Sequence, residues 1–161
     1  MRLTYFEGFA AALLAQHPNI RRVQTLAEAG ITDKPHGLRV DITGGGSVLL
    51  QFVRTSPSDG ERLDRPDTFD PTSLPPLTLP APFTGPLRVA DLERDLVALI
   101  RQAGHPEVAE VETFADWGRS SKPAGVRVRF NDGAVVFVLF WRVLAAGSNR
   151  PGADYELPAG V

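Results

Sequence analysis

The chain of 161 residues contains no cysteine. This absence excludes disulfide bridges, thiol catalysis and cysteine-bound zinc. Lysine is nearly absent as well, since Lys34 and Lys122 are the only two and arginine supplies the other basic side chains. No apolar run approaches the roughly 18 residues that a membrane-spanning helix requires. Residues 1–16 have no basic segment beyond Arg2 and are interrupted by Glu7, which is untypical of a secretory signal. We therefore expect a cytoplasmic protein without a membrane partner.

The charge balance bears on the kind of partner that the protein can bind. The formal net charge is −2, and hydrophobic residues make up 43% of the chain. These values are ordinary for a globular protein and argue against strong nonspecific binding to a polyanion. A local basic patch remains compatible with them.

The most informative feature of the sequence is an internal repeat at an offset of 88 residues. The stretch from His17 to Ala27 matches the stretch from His105 to Ala115, and Lys34–Val40 matches Lys122–Val128. The alignment needs no gap and extends to Arg54 and Arg142. Repeats of this kind fix an architecture before any other signal, so the sequence predicts a duplicated unit.

Each half opens with a helical pattern and continues with three strands. Apolar residues at helical spacing predict helices around Phe6–Leu14 and Leu92–Ile100, the second with Asp91 as its N-cap. Alternating or continuous apolar runs predict the strands. Glycine-rich or Asn-Asp-Gly turns join the second strand to the third. The predicted strands are 20–27, 38–43 and 48–54 in the first half, and 108–115, 126–131 and 135–142 in the second.

These patterns predict an α+β fold. We expect an internal duplication of an α-β-β-β unit with pseudo-two-fold symmetry, whose antiparallel sheets are either joined or packed together, with helices on one face. The predicted organisation is a first repeat at 1–54, a proline-rich acidic linker at 55–86, a second repeat at 87–147 and a loosely ordered tail at 148–161.

Three local features invite a chemical interpretation that the residues do not support. The Gly44–Gly46 run matches no phosphate-loop pattern and joins two strands, so a hairpin turn explains it. His17 and His105 lack neighbouring metal ligands, and we interpret both as helix-end caps. Ser47 lacks the motif of a serine nucleophile. We assign no catalytic residue, no metal site and no cofactor.

Two sets of residues are better candidates for a binding role. The first is basic: Lys34 and Lys122 lie in equivalent Lys-Pro-x-Gly turns, and Arg39 and Arg127 follow them in the second strands. A turn of this type explains the proline and the glycine, but the paired cations suggest a two-fold basic surface. Such a surface could bind phosphates or the acidic face of a protein.

The second set is apolar. In the last strand, Phe137, Leu139 and Trp141 alternate with an equally apolar opposite face. A sheet covered by helices on one side would leave these three side chains in water, so something must cover them. The candidates are the linker, the other half of the chain or a second subunit.

We expect a non-enzymatic protein-binding or assembly module, with a homodimer as one form of assembly, that uses the apolar last strand or the basic turns. The alternative is a nucleic-acid-binding protein that uses Lys34, Arg39, Lys122 and Arg127 as a two-fold basic surface. A third interpretation is a small enzyme with a site at the repeat interface, which no motif supports.

Overall fold

The structure, a computed structural model, describes residues 1–57, 64–85 and 88–147. The predicted tail and parts of the linker lie outside the described residues. Within them the chain forms three α-helices and six strands. These are α1 (Leu3–Leu14), β1 (Ile20–Thr25), β2 (Gly37–Ile42), β3 (Ser47–Arg54), α2 (Val89–Ala103), β4 (Val108–Thr113), α3 (Phe114–Trp117), β5 (Gly125–Phe130) and β6 (Val135–Leu144).

All six strands belong to one antiparallel sheet in the order β1-β2-β3-β6-β5-β4. The two halves of the chain meet where β3 pairs with β6, from Ser47 opposite Leu144 to Arg54 opposite Val136. The prediction left open whether two sheets are joined or packed together, and the fold joins them. The α+β prediction is therefore confirmed, with the third strand of each half at the centre of the sheet.

The main core lies between one face of this sheet and the helices α1 and α2. Alternate strand residues such as Val40, Phe52 and Val138 point into it, because successive side chains of a strand face opposite sides. Five apolar residues of α1, at the predicted helical spacing, are buried there. The second helix begins at Val89 rather than after Asp91, which instead lies in the first turn and pairs with Arg94.

The third helix differs from the prediction that helices occupy one face only. The four-residue α3 begins at Phe114, whose ring contacts Phe137. Phe137 alternates along β6 with the core residues Val136 and Val138, so its side chain points to the other face of the sheet. Helix α3, which contacts Phe137, therefore packs on that other face. We call this the outer face.

The strands of the two halves have matching bounds. Strands β1 and β4 begin at Ile20 and Val108, and β2 and β5 begin at Gly37 and Gly125, each pair 88 residues apart. The pairing registers also match, including a bulge just after the first residue of β1 and of β4. The predicted strand positions are thus confirmed to within two residues at each end.

A glutamate anchors each long helix to the sheet. The carboxylate of Glu7 on α1 accepts the N–H of Gly37 at 2.8 Å, and Glu93 on α2 accepts the N–H of Gly125. Each hydrogen bond satisfies the first backbone donor of a second strand.

The described part of the linker runs along the helices rather than over the outer face. Leu74 and Leu77 pack against the main core, and the Phe69 ring lies 5.4 Å from that of Tyr5 on α1. The backbone N–H of Thr78 donates to the Gln102 side chain of α2 at 2.7 Å. The linker residues that the structure describes therefore leave the outer face to be covered by other segments.

Candidate functional site

The three apolar candidates of the last strand lie together on the outer face, and each is half-buried. Phe137 packs against α3, with ring centroids 6.2 Å from Phe114 and 5.7 Å from Trp117. Trp141 packs against a small cluster formed by Leu26, Ile31, Leu49 and Leu144. The cover on this face therefore comes from the segments that follow β1 and β4.

A β-bulge shapes the face next to Trp141. Leu50 pairs with Phe140, but Leu49 pairs with Arg142, so β6 carries one extra residue at this point. A bulge turns two consecutive side chains toward the same side of a sheet. Trp141 and Arg142 consequently share the outer face, and the guanidinium carbon of Arg142 lies 5.7 Å from the centre of the Trp141 ring.

The side chain of Arg39 lies against the sheet, where it forms an ion pair with Asp41. Its Nε lies 2.8 Å from Asp41 Oδ1, and its Nη2 donates to the Ser47 hydroxyl at 3.2 Å. Burial alone would raise the pKa of Asp41, but hydrogen bonds from Ser47 and Arg39 and the charge of Arg22 outweigh it and lower that pKa. The charge of Arg39 is therefore compensated locally.

Arg127 is compensated in the same way from strand β4. Its Nη1 lies 2.6 Å from Glu112 and 3.1 Å from Glu110, and its guanidinium lies 5.3 Å from the centre of the Trp117 ring. Hydrogen bonds from Arg129 and then Arg127 lower the pKa of the Glu110 carboxyl. Of the predicted basic set, only the two lysines present charge without such a partner in the described ranges.

Those two lysines meet at one cavity. Lys34, in the β1–β2 loop, and Lys122, in the α3–β5 loop, both line a cavity of about 290 Å³ on the outer face. We call it the outer cavity. The Nζ atom of Lys34 lies 5.3 Å from the centre of the Trp141 ring, whereas Lys122 is exposed. The lining residues are Lys34, Gln51, Lys122, Pro123, Ala124, Leu139, Phe140, Trp141 and Arg142.

The outer cavity has a strongly one-sided charge. Among the described residues that line it, three are cations and none is a carboxylate. Among the residues that the structure describes, no acidic side chain pairs with Lys34, Lys122 or Arg142. The Nε and Nη1 atoms of Arg142 are buried and make no hydrogen bond within those ranges. A partly desolvated cation without a counter-charge is costly, so an anion bound here would be stabilised.

The two repeated histidines have structural partners. Each Nδ1 accepts the backbone N–H of the residue two positions later, at 3.0 Å for His17 and 3.2 Å for His105. Their Nε2 atoms reach across to the other half, to Asp95 at 2.8 Å and to the Tyr5 hydroxyl at 3.1 Å. Burial lowers the pKa of His105. The histidines thus tie the two halves together instead of capping helix carbonyls.

The other residues considered for a chemical role, the glycine run and Ser47, also have structural roles. Gly44–Gly46 form the β2–β3 turn, where φ angles of 96°, 114° and 81° require glycine. The Ser47 hydroxyl donates to Asp41 at 2.6 Å. No group of three or more acidic or histidine side chains within 1–57, 64–85 and 88–147 could hold a metal ion. No helix of the described chain is long and apolar enough to cross a bilayer.

Sequence reasoning missed Gln51 and Arg142 as lining residues. The cavity forms only because β3 pairs with β6, and nothing in the sequence indicates that pairing. Arg142 had one usable signal, its repeat partner Arg54, but the bulge places Arg142 on the outer face while Arg54 lies opposite Val136 on the core-facing side.

Comparison with protein-family models, with curated proteins and with solved structures finds no match for this chain. The outer cavity therefore has to be interpreted from its own geometry.

Proposed function

We propose that the chain is a non-catalytic protein-binding module whose docking surface is the outer cavity, and that its partner presents an acidic segment there. The single observation that carries this proposal is the set of three cations, Lys34, Lys122 and Arg142, that line one cavity with a half-buried tryptophan and with no carboxylate among the described lining residues. A carboxylate entering this set would form charge-assisted hydrogen bonds, each worth about 1.5–3 kcal/mol when water is excluded.

The apolar part of the lining supports a protein partner over a small ion. Leu139 and Trp141 remain half-buried, and Val53, which pairs with Phe137 on the same face, is 40% exposed. Tryptophan and arginine at the centre of a partly desolvated surface are typical of the residues that dominate protein–protein binding energy. The surface thus offers both an apolar anchor and a complementary charge.

A nucleic acid is the less favoured partner. Arg39 and Arg127, which would extend the lysines into a basic stripe, are paired with acidic side chains. Duplex binding draws its affinity from many phosphate contacts, and the whole chain carries a net charge of −2. An enzyme is less favoured still, because no nucleophile with an adjacent base lines the outer cavity.

The proposal is tested by the fluorescence of Trp141. The chain has two tryptophans, so a Trp117→Phe variant leaves Trp141 as the sole reporter. We expect saturable quenching or enhancement with an acetylated hexaglutamate amide and none with hexaglutamine. Replacing both Lys34 and Lys122 by methionine should abolish the signal change. A response to duplex DNA that exceeds the response to hexaglutamate, or no response to either, would overturn the proposal.

Self-association is tested separately, because a second copy of this chain could supply the partner surface. If it does, light scattering should report a dimer that Trp141→Glu dissociates while circular dichroism stays unchanged. If the chain stays monomeric at high concentration, the partner is a different protein.

We also propose that the two halves are copies of one α-β-β-β unit related by a pseudo-two-fold axis. Support comes from the shared strand bounds and from a paired detail: in each half a threonine hydroxyl accepts the N–H of the acidic residue three positions later, Thr25 from Glu28 and Thr113 from Asp116. Gln51 pairs directly with Leu139, its counterpart 88 residues later, so the proposed axis would pass through the floor of the outer cavity. In an experimental structure, residues 20–54 should superpose on 108–142 by a rotation near a half-turn, and a different rotation would contradict the symmetry.

A further inference from the structure

The two lysines of the outer cavity come from opposite halves and stand on either side of one strand pair. Lys34 belongs to the loop before β2, Lys122 to the loop before β5, and Gln51 and Leu139 pair between them on β3 and β6. A ligand that contacts both lysines must therefore cross the central strand pair. The apolar side chain of Leu139 lies in its path.

The two cationic ends are not equivalent. The Lys34 Nζ atom and the Arg142 guanidinium carbon both lie over the Trp141 ring, 5.3 Å and 5.7 Å from its centre, so that end holds two cations around one aromatic side chain. Lys122 is exposed. The residue that corresponds to Trp141 in the first half is Val53, whose side chain is too small to cover Lys122. One end is a partly desolvated double-cation subsite and the other is a single solvated cation.

Resting on the proposed function, we propose that the recognised segment carries two carboxylates that flank one apolar residue. One carboxylate binds Lys34 and Arg142, the apolar side chain packs on Leu139, and the second carboxylate binds Lys122. In an extended segment every second side chain faces the same way, so the three groups occupy alternate positions, as in Glu-x-Leu-x-Glu. The two acidic residues are then about 13 Å apart along the segment, at about 3.3 Å per residue.

Carboxylates fit this site better than phosphates. Phosphate sites in proteins generally add a helix N-terminus or a concave set of backbone N–H groups to their cations. No helix contributes to the described lining of the outer cavity, whose residues all belong to strands and loops. Lysine and arginine side chains alone suit the acidic residues of a protein segment.

The experiment titrates defined peptides into the wild-type protein by calorimetry. The probe is acetyl-Ser-Glu-Ser-Leu-Ser-Glu-Ser-amide, and its controls replace the first Glu, the second Glu or both with Gln, or Leu with Ser. We expect each single replacement to weaken binding about three- to tenfold and the double Gln peptide to show no binding, since a charge contact that stays partly in water contributes on that scale.

Protein variants assign the two ends. Lys34→Met and Lys122→Met should each weaken the two-carboxylate probe about three- to tenfold. Lys122→Met should bind the two-carboxylate probe and one of its single-Gln forms about equally, because the carboxylate that faced Lys122 then contributes nothing, whereas in Lys34→Met the other carboxylate keeps Arg142 as a partner. Arg94→Met is the matched control: Arg94 is an exposed cation on α2, on the opposite side of the sheet, and its replacement should leave every affinity unchanged. Unchanged urea midpoints confirm folding.

The outcomes separate this inference from the function on which it rests. If single-carboxylate peptides bind as tightly as the probe, or if only one lysine variant has an effect, two-point recognition is wrong while acidic-segment binding stands. If the probe fails but hexaglutamate binds, the spacing or the apolar residue is wrong. If neither binds, both proposals fail. A tighter response to a phosphoserine version of the probe than to the glutamate version would overturn the preference for carboxylates.

Discussion

Among single residues, Glu93 is a carboxyl group whose ionisation the fold disfavours. Its side chain is buried in α2, where it accepts the N–H of Gly125. Burial raises the pKa of this carboxyl, the negative charge of Asp116 adds to the rise, and the hydrogen bond from Gly125 opposes it. The folded state therefore prefers the protonated acid more strongly than the unfolded chain does.

This preference predicts a pH-dependent effect of Glu93→Gln. A raised pKa contributes stability that is complete below the ordinary pKa of 4.5 and is lost as the pH rises through the higher folded pKa. Glutamine keeps an acceptor for Gly125 but does not ionise. We expect the variant to gain stability relative to the wild type as the pH rises from below 4.5 towards neutrality, because only the wild type has to ionise a buried carboxyl.

Urea unfolding at several pH values measures that difference. Glu93→Ala, which removes the acceptor, should be less stable than Glu93→Gln at every pH. A constant difference between the Gln variant and the wild type across this range would show that Glu93 does not titrate as the structure implies.

At the scale of elements, the short helix α3 depends on a glycine in the neighbouring strand. A Cβ atom on Gly125 would lie 2.3 Å from the Phe114 ring, which is far inside contact distance. Gly125→Ala should displace Phe114, loosen the cover over Phe137 and lower the free energy of unfolding by about 1–3 kcal/mol.

The matched control for this change is Gly118→Ala at the C-cap of α3. Gly118 has a φ of 68°, and a Cβ atom added there would meet nothing within 4 Å. Its replacement therefore adds backbone strain of about 1 kcal/mol without a clash. Urea unfolding followed by tryptophan fluorescence compares the two variants. Equal losses of stability would mean that the close approach of Phe114 to Gly125 is unimportant.

The sequence predicted the elements well and their tertiary partners poorly. Apolar periodicity located α1, α2 and all six strands, because the burial of one face requires apolar residues at a regular spacing along the chain. It could not locate α3, whose four residues are too few to show a period. It also could not show that Arg39 and Arg127 face acidic side chains, since that depends on cross-strand register and side-chain geometry.

The outer cavity illustrates the same limit more sharply. Phe137, Leu139 and Trp141 were predicted to share a face because alternation within one strand is local information. The meeting of Lys34 with Lys122, by contrast, requires the pairing of β3 with β6, and the sharing of a face by Trp141 and Arg142 requires a bulge. Both are set by the balance of packing across the whole sheet.

At the scale of the whole molecule, the convergence of the only two lysines gives a direct chemical test of how the halves are joined. Because Lys34 and Lys122 line one cavity, a short bifunctional amine reagent should link them within one chain. Peptide mass spectrometry identifies the bridge. We expect it in the native protein and not in urea, and Lys122→Arg should eliminate it.

Saturating hexaglutamate should slow the formation of this bridge, because bound carboxylates shield both amines. A bridge that forms equally well in urea would reflect chance encounters in a flexible chain. Its absence from the native protein would contradict the shared cavity.

The central pairing of β3 with β6 has a consequence for the order of folding. The β1–β2, β2–β3, β4–β5 and β5–β6 pairings join neighbours in sequence, whereas β3 and β6 are separated by more than 80 residues along the chain. Closing so long a loop is entropically costly and slow, so we expect each three-strand half to form before the halves dock. The outer cavity would then be the last part of the molecule to appear, and any ligand held there would selectively slow the parting of the two halves.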